Sequence, residues 1–132
     1  MNFPKKKICI VGAGKWGMNH IETLYKYNCL YGVVEADMSK HHLLKKNYNN
    51  VDVFDNLDDA ICCDFDGYIL STPADSHFKL SSILIKNNLP VLIEKPLALN
   101  EKDAKIIVDL SLTYKTQVMV GHVLLFHPAI IK

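Results

Sequence analysis

Short apolar runs alternate along this chain with longer segments whose apolar residues recur at helical spacing. Six runs predict strands, at residues 7–11, 30–34, 51–54, 68–70, 90–93 and 117–120. The segments between them predict helices or helical turns, at residues 15–27, 39–48, 56–62, 73–88 and from 101 onward. Strands without apolar–polar alternation, each followed by a helix, are typical of a parallel sheet covered on both faces. With right-handed crossovers, the expected fold is α/β: a doubly wound parallel sheet (Rossmann) of about six strands with helices on both faces.

Two of the predicted helices begin with capping signals. Thr72 supplies a capping hydroxyl, Pro73 suits the first helical position, and Asp75 places an acid in the first turn. Asn100 is the corresponding signal for the helix that follows the fifth strand. The apolar face predicted for that helix consists of Ala104, Ile107, Val108, Ser111 and Leu112. Residues 127–132 resemble the beginning of a further helix.

The length and net charge of the chain indicate a single domain and argue against a nucleic-acid-binding protein. The 132 residues suffice for one hydrophobic core, so we expect a single domain. Fifteen Lys and Arg residues against 14 Asp and Glu residues give a net charge of +1, without the basic excess of a nucleic-acid-binding protein. The longest apolar stretches are far shorter than the roughly 18 residues of a membrane span. We therefore expect neither nucleic acid nor a membrane as a partner.

The cysteines bear on the compartment. Cys9, Cys29, Cys62 and Cys63 lack the spacing of a zinc finger or of a redox motif. Cys9 and Cys29 fall within apolar runs, where a reduced thiol packs as a small hydrophobic side chain. The basic residues before the first apolar run are not followed by the long apolar region and cleavage site of a signal peptide. We therefore expect a soluble, cytoplasmic protein.

A glycine-rich loop follows the first predicted strand and opens the first predicted helix. Gly12, Gly14 and Gly17 fit the pattern G-x-G-x-x-G, and Lys15 and Trp16 lie between the last two glycines. Gly12 permits the tight turn, Gly14 lets the backbone approach a pyrophosphate, and Gly17 lets the helix pack closely on the strand. The free N–H groups at the positive end of the helix would then meet the phosphates. This loop predicts a dinucleotide site; the alternative is a strand–helix turn without a ligand.

An acid at the end of the second predicted strand bears on the choice of dinucleotide. Glu35 follows Gly12 by 23 residues, where a carboxylate can accept the ribose hydroxyls of the adenosine half. A 2′-phosphate at this position would be repelled, so NAD is favoured over NADP as the cofactor. Asp37 is a second candidate for the same contact, whereas Lys40 could pair with a phosphate. The alternative for Glu35 is a solvated strand end.

A corner of three residues, Glu94, Lys95 and Pro96, follows the fifth predicted strand directly. Ligands of an open parallel sheet bind beyond the carboxyl ends of its strands, so this corner lies in the expected crevice. A lysine amine there can relay a proton to or from a reacting hydroxyl. Pro96 would fix the local backbone. From chemistry alone, a lysine at a strand end is more commonly a surface charge.

Four segments of the chain, at residues 12–19, 71–77, 94–97 and 120–122, form a combination that extends over nearly the whole sequence. In order and spacing they resemble the N-terminal half of the Gfo/Idh/MocA oxidoreductases, the relatives of glucose–fructose oxidoreductase and inositol 2-dehydrogenase. The Glu-Lys-Pro motif after Thr-Pro-x-x-x-His is far more specific than the glycine loop. Residues 121–129 are most similar to the branch that acts on nucleotide-linked sugars, such as UDP-N-acetylglucosamine or its uronate.

The resemblance implies an NAD(P)-dependent sugar dehydrogenase that transfers a hydride between a sugar carbon and nicotinamide. Lys95 would hold the reacting hydroxyl and help to deprotonate it, and His122 would lie near the nicotinamide and the substrate. The remaining residues that the resemblance places at the dinucleotide are Ser71, Thr72, Pro73, His77 and Glu94. Glu94 would be at the nicotinamide ribose.

The histidines also have structural interpretations. His77 could be a polar residue in the first turn of a helix, and His122 could be bonded to backbone at a strand end. His20, His41 and His42 are assigned to packing or to solvent. No three of these histidines suggest a metal site.

Members of the family also carry a second α/β domain, which holds most of the substrate and forms the oligomer interface. The resemblance therefore makes residues 1–132 the dinucleotide-binding domain, without that C-terminal domain. Such a chain should bind dinucleotide but turn over sugar poorly or not at all, and form a homo-oligomer only with the second domain. The alternative is a non-catalytic module that binds NAD as a sensor or scaffold. Glu94 and Lys95 argue against it, because binding alone needs neither.

Overall fold

The computed structural model describes residues 5–130. Its helices and strands follow in the order β1 (Ile8–Val11), α1 (Lys15–Lys26), β2 (Leu30–Val34), a 3₁₀ turn (Met38–Lys40), α2 (His41–Asn47), β3 (Asp52–Phe54), α3 (Leu57–Ile61), β4 (Gly67–Leu70), α4 (Ala74–Lys86), β5 (Val91–Ile93), α5 (Glu101–Tyr114), β6 (Val118–Val120) and a second 3₁₀ turn (Val123–Phe126). The strands form one sheet in the order β3-β2-β1-β4-β5-β6, and every neighbouring pair is parallel. The predicted doubly wound α/β fold is confirmed.

Helices cover both faces of the sheet, because successive side chains of each strand point to opposite faces. On one face, Cys9 and Val11 of β1 belong to a buried cluster that includes side chains from α3, α4 and α5. On the other face, Ile10 packs in a cluster with Ile21 of α1 and Leu44 of α2. In the part of the chain that the structure describes, no helix is long and apolar enough to span a membrane.

The carboxyl ends of all six strands are aligned in one row. The residues paired across this row are Phe54, Val34, Val11, Leu70, Ile93 and Val120. The strand order reverses between β1 and β4, and ligands of doubly wound sheets bind in the crevice at that point. The residues that follow the row, and so lie along one edge of the sheet, are Asp55, Glu35, Gly12, Ser71, Glu94 and Gly121.

Three local predictions were wrong: the position of Pro73, the capping role of Thr72 and the apolar face of α5. Pro73 is the cap residue of α4 and not its first helical residue, because its ψ of 144° is extended. The Thr72 hydroxyl does not cap the helix; it accepts a hydrogen bond of 2.6 Å from the Ser76 hydroxyl. In α5, Val108 and Leu112 are 48% and 71% exposed. Ile107 is 1% exposed, so the sheet and α4 cover only part of the predicted apolar face of α5.

Other local predictions can be compared directly with the structure. The Asn100 side chain does cap α5, accepting a hydrogen bond of 2.9 Å from the N–H group of Asp103. Cys9 is buried and unpaired, as expected, and Cys29 is half-buried. Residues 128–130 of the predicted final helix form a turn, and residues 131–132 lie outside the described residues.

Candidate dinucleotide site

Two glycines of the loop between β1 and α1 are required by the fold itself. Gly12 has a φ of +97°, in the region that favours glycine. A Cβ atom at Gly12 would also lie 2.9 Å from the carbonyl oxygen of Ser71. A Cβ atom at Gly17, one turn into α1, would overlap the carbonyl oxygen of Gly12. These two glycines let β1, β4 and α1 approach one another closely.

Gly14 is different, because the folded chain does not need a glycine there. Its φ of −76° and ψ of −169° are extended, and any residue can adopt them. A Cβ atom at this position would have no neighbour within 4 Å. The helix that begins after Gly14 has no side-chain cap and no acid in its first turn. The uncapped N-terminus of α1 and the open position at Gly14 therefore suit an anion such as a pyrophosphate. Lys15 and Trp16, the first two residues of α1, are both exposed.

The Glu35 carboxylate is buried at the end of β2, where it joins the glycine loop to the next turn. One oxygen accepts hydrogen bonds from the Ala13 N–H group at 2.9 Å and from the Lys40 ammonium at 3.3 Å. The other accepts one from the Asp37 N–H group at 2.9 Å. Burial by itself would raise the pKa of Glu35, but these donors outweigh burial and hold the pKa below its ordinary value of 4.5. Glu35 is therefore an ionised acceptor rather than a solvated strand end.

Asp37 and His41 support the same turn. The Asp37 carboxylate accepts hydrogen bonds from the N–H group and the hydroxyl of Ser39, which together lower the pKa of Asp37. It thus caps the 3₁₀ turn. The His41 ring contacts the carbonyl oxygen of Glu35 at 2.6 Å. The assignment of His41 to packing or solvent was wrong, because its ring stabilises the backbone that carries Glu35.

A cleft of about 410 Å³ lies above the row of strand ends and adjoins the glycine loop. Its polar lining includes Glu35, Lys40, Ser71 and Thr72, and Pro73 lies at its edge. Within residues 5–130, the buried Ser71 hydroxyl has no hydrogen-bond partner. A buried polar group without a partner is unusual in a folded protein, and a ligand can supply the partner. The cleft therefore combines an open anion position, a fixed carboxylate and an unpaired hydroxyl, a set that fits a dinucleotide.

A larger hollow of about 760 Å³ lies elsewhere on the sheet. Its lining includes Lys6, Asp66, Gly67, Pro90 and Gln117, which lie at or before the amino ends of the strands. Ligands of open parallel sheets bind at the carboxyl ends, where helix N-termini and strand-end side chains converge. We therefore assign the site to the smaller cleft.

The corner after β5 contains a buried carboxylate. The Glu94 side chain is 8% exposed, and one of its oxygens lies 2.7 Å from Nε2 of His20 on α1. Its other oxygen accepts a weaker hydrogen bond of 3.3 Å from the Lys95 N–H group. Gly121, after the neighbouring strand β6, leaves room for this carboxylate, since a Cβ atom there would lie 3.1 Å from it. The assignment of His20 to packing or solvent was wrong.

Lys95 and His122 leave adjacent strands at equivalent positions. Each lies two residues beyond the paired residues Ile93 and Val120, and each side chain is exposed. Within the described part of the chain, the Lys95 ammonium joins none of the ion pairs. The structure therefore leaves both side chains available to a ligand at the carboxyl edge.

His77 is 1% exposed, and its ring contacts two backbone carbonyl oxygens. Nδ1 lies 2.8 Å from the carbonyl oxygen of Pro96, and Nε2 lies 2.9 Å from that of Thr72. Both ring nitrogens are thus engaged within the protein. His77 therefore joins the loop after β4 to the corner after β5.

Comparisons with known proteins identify the family of this chain and its fold. Residues 6–122 match the family model of the Gfo/Idh/MocA oxidoreductases, an oxidoreductase family with an NAD-binding Rossmann fold. Inositol 2-dehydrogenase from Corynebacterium glutamicum is 26% identical over 127 residues, which are 92% of this chain and 38% of that protein. UDP-N-acetylglucosamine 3-dehydrogenase from Acidithiobacillus ferrooxidans is 23% identical over 121 residues, with the same coverage of 92% and 38%.

A solved structure gives the same fold. The WlbA dehydrogenase from Bordetella pertussis, in complex with NADH and UDP-GlcNAcA, superposes with a TM-score of 0.89 at 19% identity. The match covers 96% of this chain and 40% of that one. The chain therefore spans about two-fifths of the length of the relatives that it matches.

Proposed function

Because the chain belongs to the Gfo/Idh/MocA oxidoreductase family, whose Rossmann fold binds NAD, we propose that it is the cofactor domain of a sugar dehydrogenase. The cofactor lies along the row of strand ends, with its pyrophosphate at the amino end of α1. The observation that carries this proposal is the open position at Gly14 between two glycines that the fold requires. An ordinary strand–helix turn has no need of a glycine at that position.

The adenosine half of the cofactor lies in the cleft between Glu35 and Pro73. The Glu35 oxygen that accepts only the Asp37 N–H group has capacity for a ribose hydroxyl. A 2′-phosphate would meet the ionised carboxylate, so NAD binds more tightly than NADP. Lys40 reduces this preference, because its ammonium already neutralises part of the carboxylate charge.

The nicotinamide half extends from the glycine loop toward the corner after β5. When bound, NAD supplies the acceptor for a hydride from a hydroxyl-bearing carbon. Lys95, in its neutral amine form, accepts a hydrogen bond from the hydroxyl of that carbon and takes its proton to become the ammonium as the hydride leaves the carbon. His122 contacts the substrate from the adjacent strand. The substrate is a sugar, free or nucleotide-linked. The named activities of the relatives, on inositol and on UDP-N-acetylglucosamine, support this class.

Substrate binding requires more than this domain. The relatives are longer than this chain, and a hydride transfer needs both reacting carbons held in register. We infer that a further domain completes the substrate site and the oligomer interface. The 132 residues alone then bind dinucleotide without appreciable turnover of sugar. The side chains of Lys95 and His122 are exposed in this domain and would contact the substrate only when the further domain is present. A non-catalytic NAD-binding module would gain nothing from these two side chains.

Calorimetric titration of the chain with NAD and with NADP tests the proposal. We expect saturable binding of both, with NAD the tighter ligand. Glu35→Ala should lower the affinity for NAD and reduce the difference in affinity between NAD and NADP, because it removes both the ribose acceptor and the repulsion of a 2′-phosphate. A chain that melts cooperatively but binds neither dinucleotide would overturn the proposed function.

A further inference from the structure

Two histidines hold the corner after β5 from opposite ends. His20, on α1, contacts the carboxylate of Glu94. His77, on α4, contacts the carbonyl oxygen of Pro96. Lys95 lies between these two held residues, while its own side chain is exposed. A residue from a different helix therefore contacts each neighbour of the lysine, the side chain of Glu94 on one side and the backbone of Pro96 on the other.

The contact from α1 is tight and enclosed. Nε2 of His20 lies 2.7 Å from a carboxylate that is 8% exposed, and the absence of a side chain at Gly121 leaves the carboxylate just enough room. The second oxygen of Glu94 accepts the Lys95 N–H group. A rotation of the Glu94 side chain would therefore break one or both hydrogen bonds and disturb the start of the corner.

The contact from α4 joins two loops. The His77 ring bridges the carbonyl oxygens of Thr72 and Pro96, so the loop after β4 and the corner after β5 are held at a fixed separation. The ring is 1% exposed, which leaves it no alternative partner in solvent. The loop that lines the cofactor cleft at Thr72 is thus mechanically connected to the corner that carries Lys95.

We propose that His20 and His77 are positioning residues, which lock the Glu94–Pro96 corner and thereby shape the nicotinamide end of the site. This inference rests on the proposed function. Both helices begin at the cofactor cleft, α1 after Gly14 and α4 after Pro73. Loss of His20 should consequently weaken contacts made by the nicotinamide half, while the adenosine half, held at Glu35 and the glycine loop, is unaffected. Loss of His77 should weaken both halves, because His77 also holds Thr72 in the cleft that receives the adenosine half.

The test compares the affinities of NAD and ADP, because ADP retains the adenosine ribose and both phosphates but lacks the nicotinamide ribose and ring. His20→Leu removes the hydrogen bond to Glu94, whereas His20→Gln keeps a donor at a similar reach. His42→Leu is the matched control, since His42 is exposed on α2. His77→Gln, which can donate to one of the two carbonyl oxygens, tests the second contact. The melting temperature of each variant reports its folding.

We expect His20→Leu to lower the affinity for NAD by about threefold to tenfold, the range of one hydrogen bond, and to leave the affinity for ADP unchanged. His20→Gln should recover most of the loss, and His42→Leu should match the wild type. His77→Gln should lower the affinities of both NAD and ADP, and that of NAD by more, because His77 holds Thr72 as well as Pro96. A ratio of NAD to ADP affinity unchanged in His20→Leu would overturn the inference, as would equal losses of both affinities in that variant. If His77→Gln does not fold, the two His20 variants decide. Failure of the wild type to bind either ligand would instead refute the proposed function.

Discussion

Gly14→Val tests whether the glycine at position 14 is required for NAD binding rather than for folding. The valine side chain would enter the open space before α1, where the structure has no atom within 4 Å of the added Cβ, in a backbone conformation that valine readily adopts. The fold should therefore tolerate the change. A pyrophosphate at the same position could no longer approach the backbone, so NAD binding should be lost.

The expected size of the effect follows from the length of the chain. Unfolding entropy of about 2.1 cal/mol/K per residue gives the domain roughly 0.28 kcal/mol/K, so 1 kcal/mol corresponds to about 4 °C. NAD at a hundredfold excess over its Kd stabilises the wild type by about 2.7 kcal/mol, or about 10 °C. Valine is a poorer N-cap than glycine, which lowers the stability of the folded protein, but it also reduces the conformational entropy of the unfolded chain, which raises it. Because these effects oppose each other, the ligand-free variant should melt within about 4 °C of the wild type.

Gly17→Ala is the matched control, measured by the same thermal denaturation with and without NAD. Its smaller side chain would overlap the Gly12 carbonyl oxygen, so the free protein should lose about 1–3 kcal/mol and melt about 4–11 °C lower. Gly14→Val should thus lose NAD binding, whereas Gly17→Ala should lose stability of the free protein. The reasoning is refuted if Gly14→Val retains the full stabilisation by NAD, or if it destabilises the free protein as much as Gly17→Ala does.

Three further changes test individual side chains. Ser71→Ala should leave the free protein as stable or up to about 1 kcal/mol more stable, because the buried hydroxyl has no partner, and should weaken NAD; a less stable free protein by thermal denaturation would contradict this. Glu35→Gln should lower the free energy of unfolding at neutral pH. The difference from the wild type should shrink as the pH falls below 4.5, because a lowered pKa confers stability that protonation removes. A difference that stays constant from pH 7 to pH 3 would show that the charge of Glu35 contributes nothing to stability. Lys95→Ala should change the NAD affinity by less than about fivefold in a calorimetric titration, the range of an exposed charge, and a larger loss would make Lys95 a cofactor-binding residue and not a proton relay.

Much of the fold could be predicted from the sequence, because each strand is a short apolar run bounded by glycine, proline or polar residues. The parallel register then brings Glu35, Gly12 and Ser71 to one edge without further information. The family resemblance selected residues at this edge, including Glu94 and Lys95 after β5. These predictions depend on local pattern and on strand order, both of which the sequence carries.

Contacts between distant side chains could not be predicted in the same way. His20 lies one turn after Trp16 on the helix, and this spacing gives no sign of a carboxylate 74 residues further along the chain. His77 has the polarity of a first-turn residue, and only the folded chain brings the Pro96 carbonyl oxygen to its ring. The outward orientation of Val108 and Leu112 depends on how α5 packs, which one apolar face in a single sequence does not determine.

The position of the cofactor can be measured residue by residue, by following backbone amide resonances of the ¹⁵N-labelled chain during a titration with NAD. We predict saturable shifts, with one common Kd, at residues 12–17 and at residues 71 and 72. Shifts confined to residues such as Gly67 and Gln117 at the amino ends of the strands, or none that saturate, would contradict it.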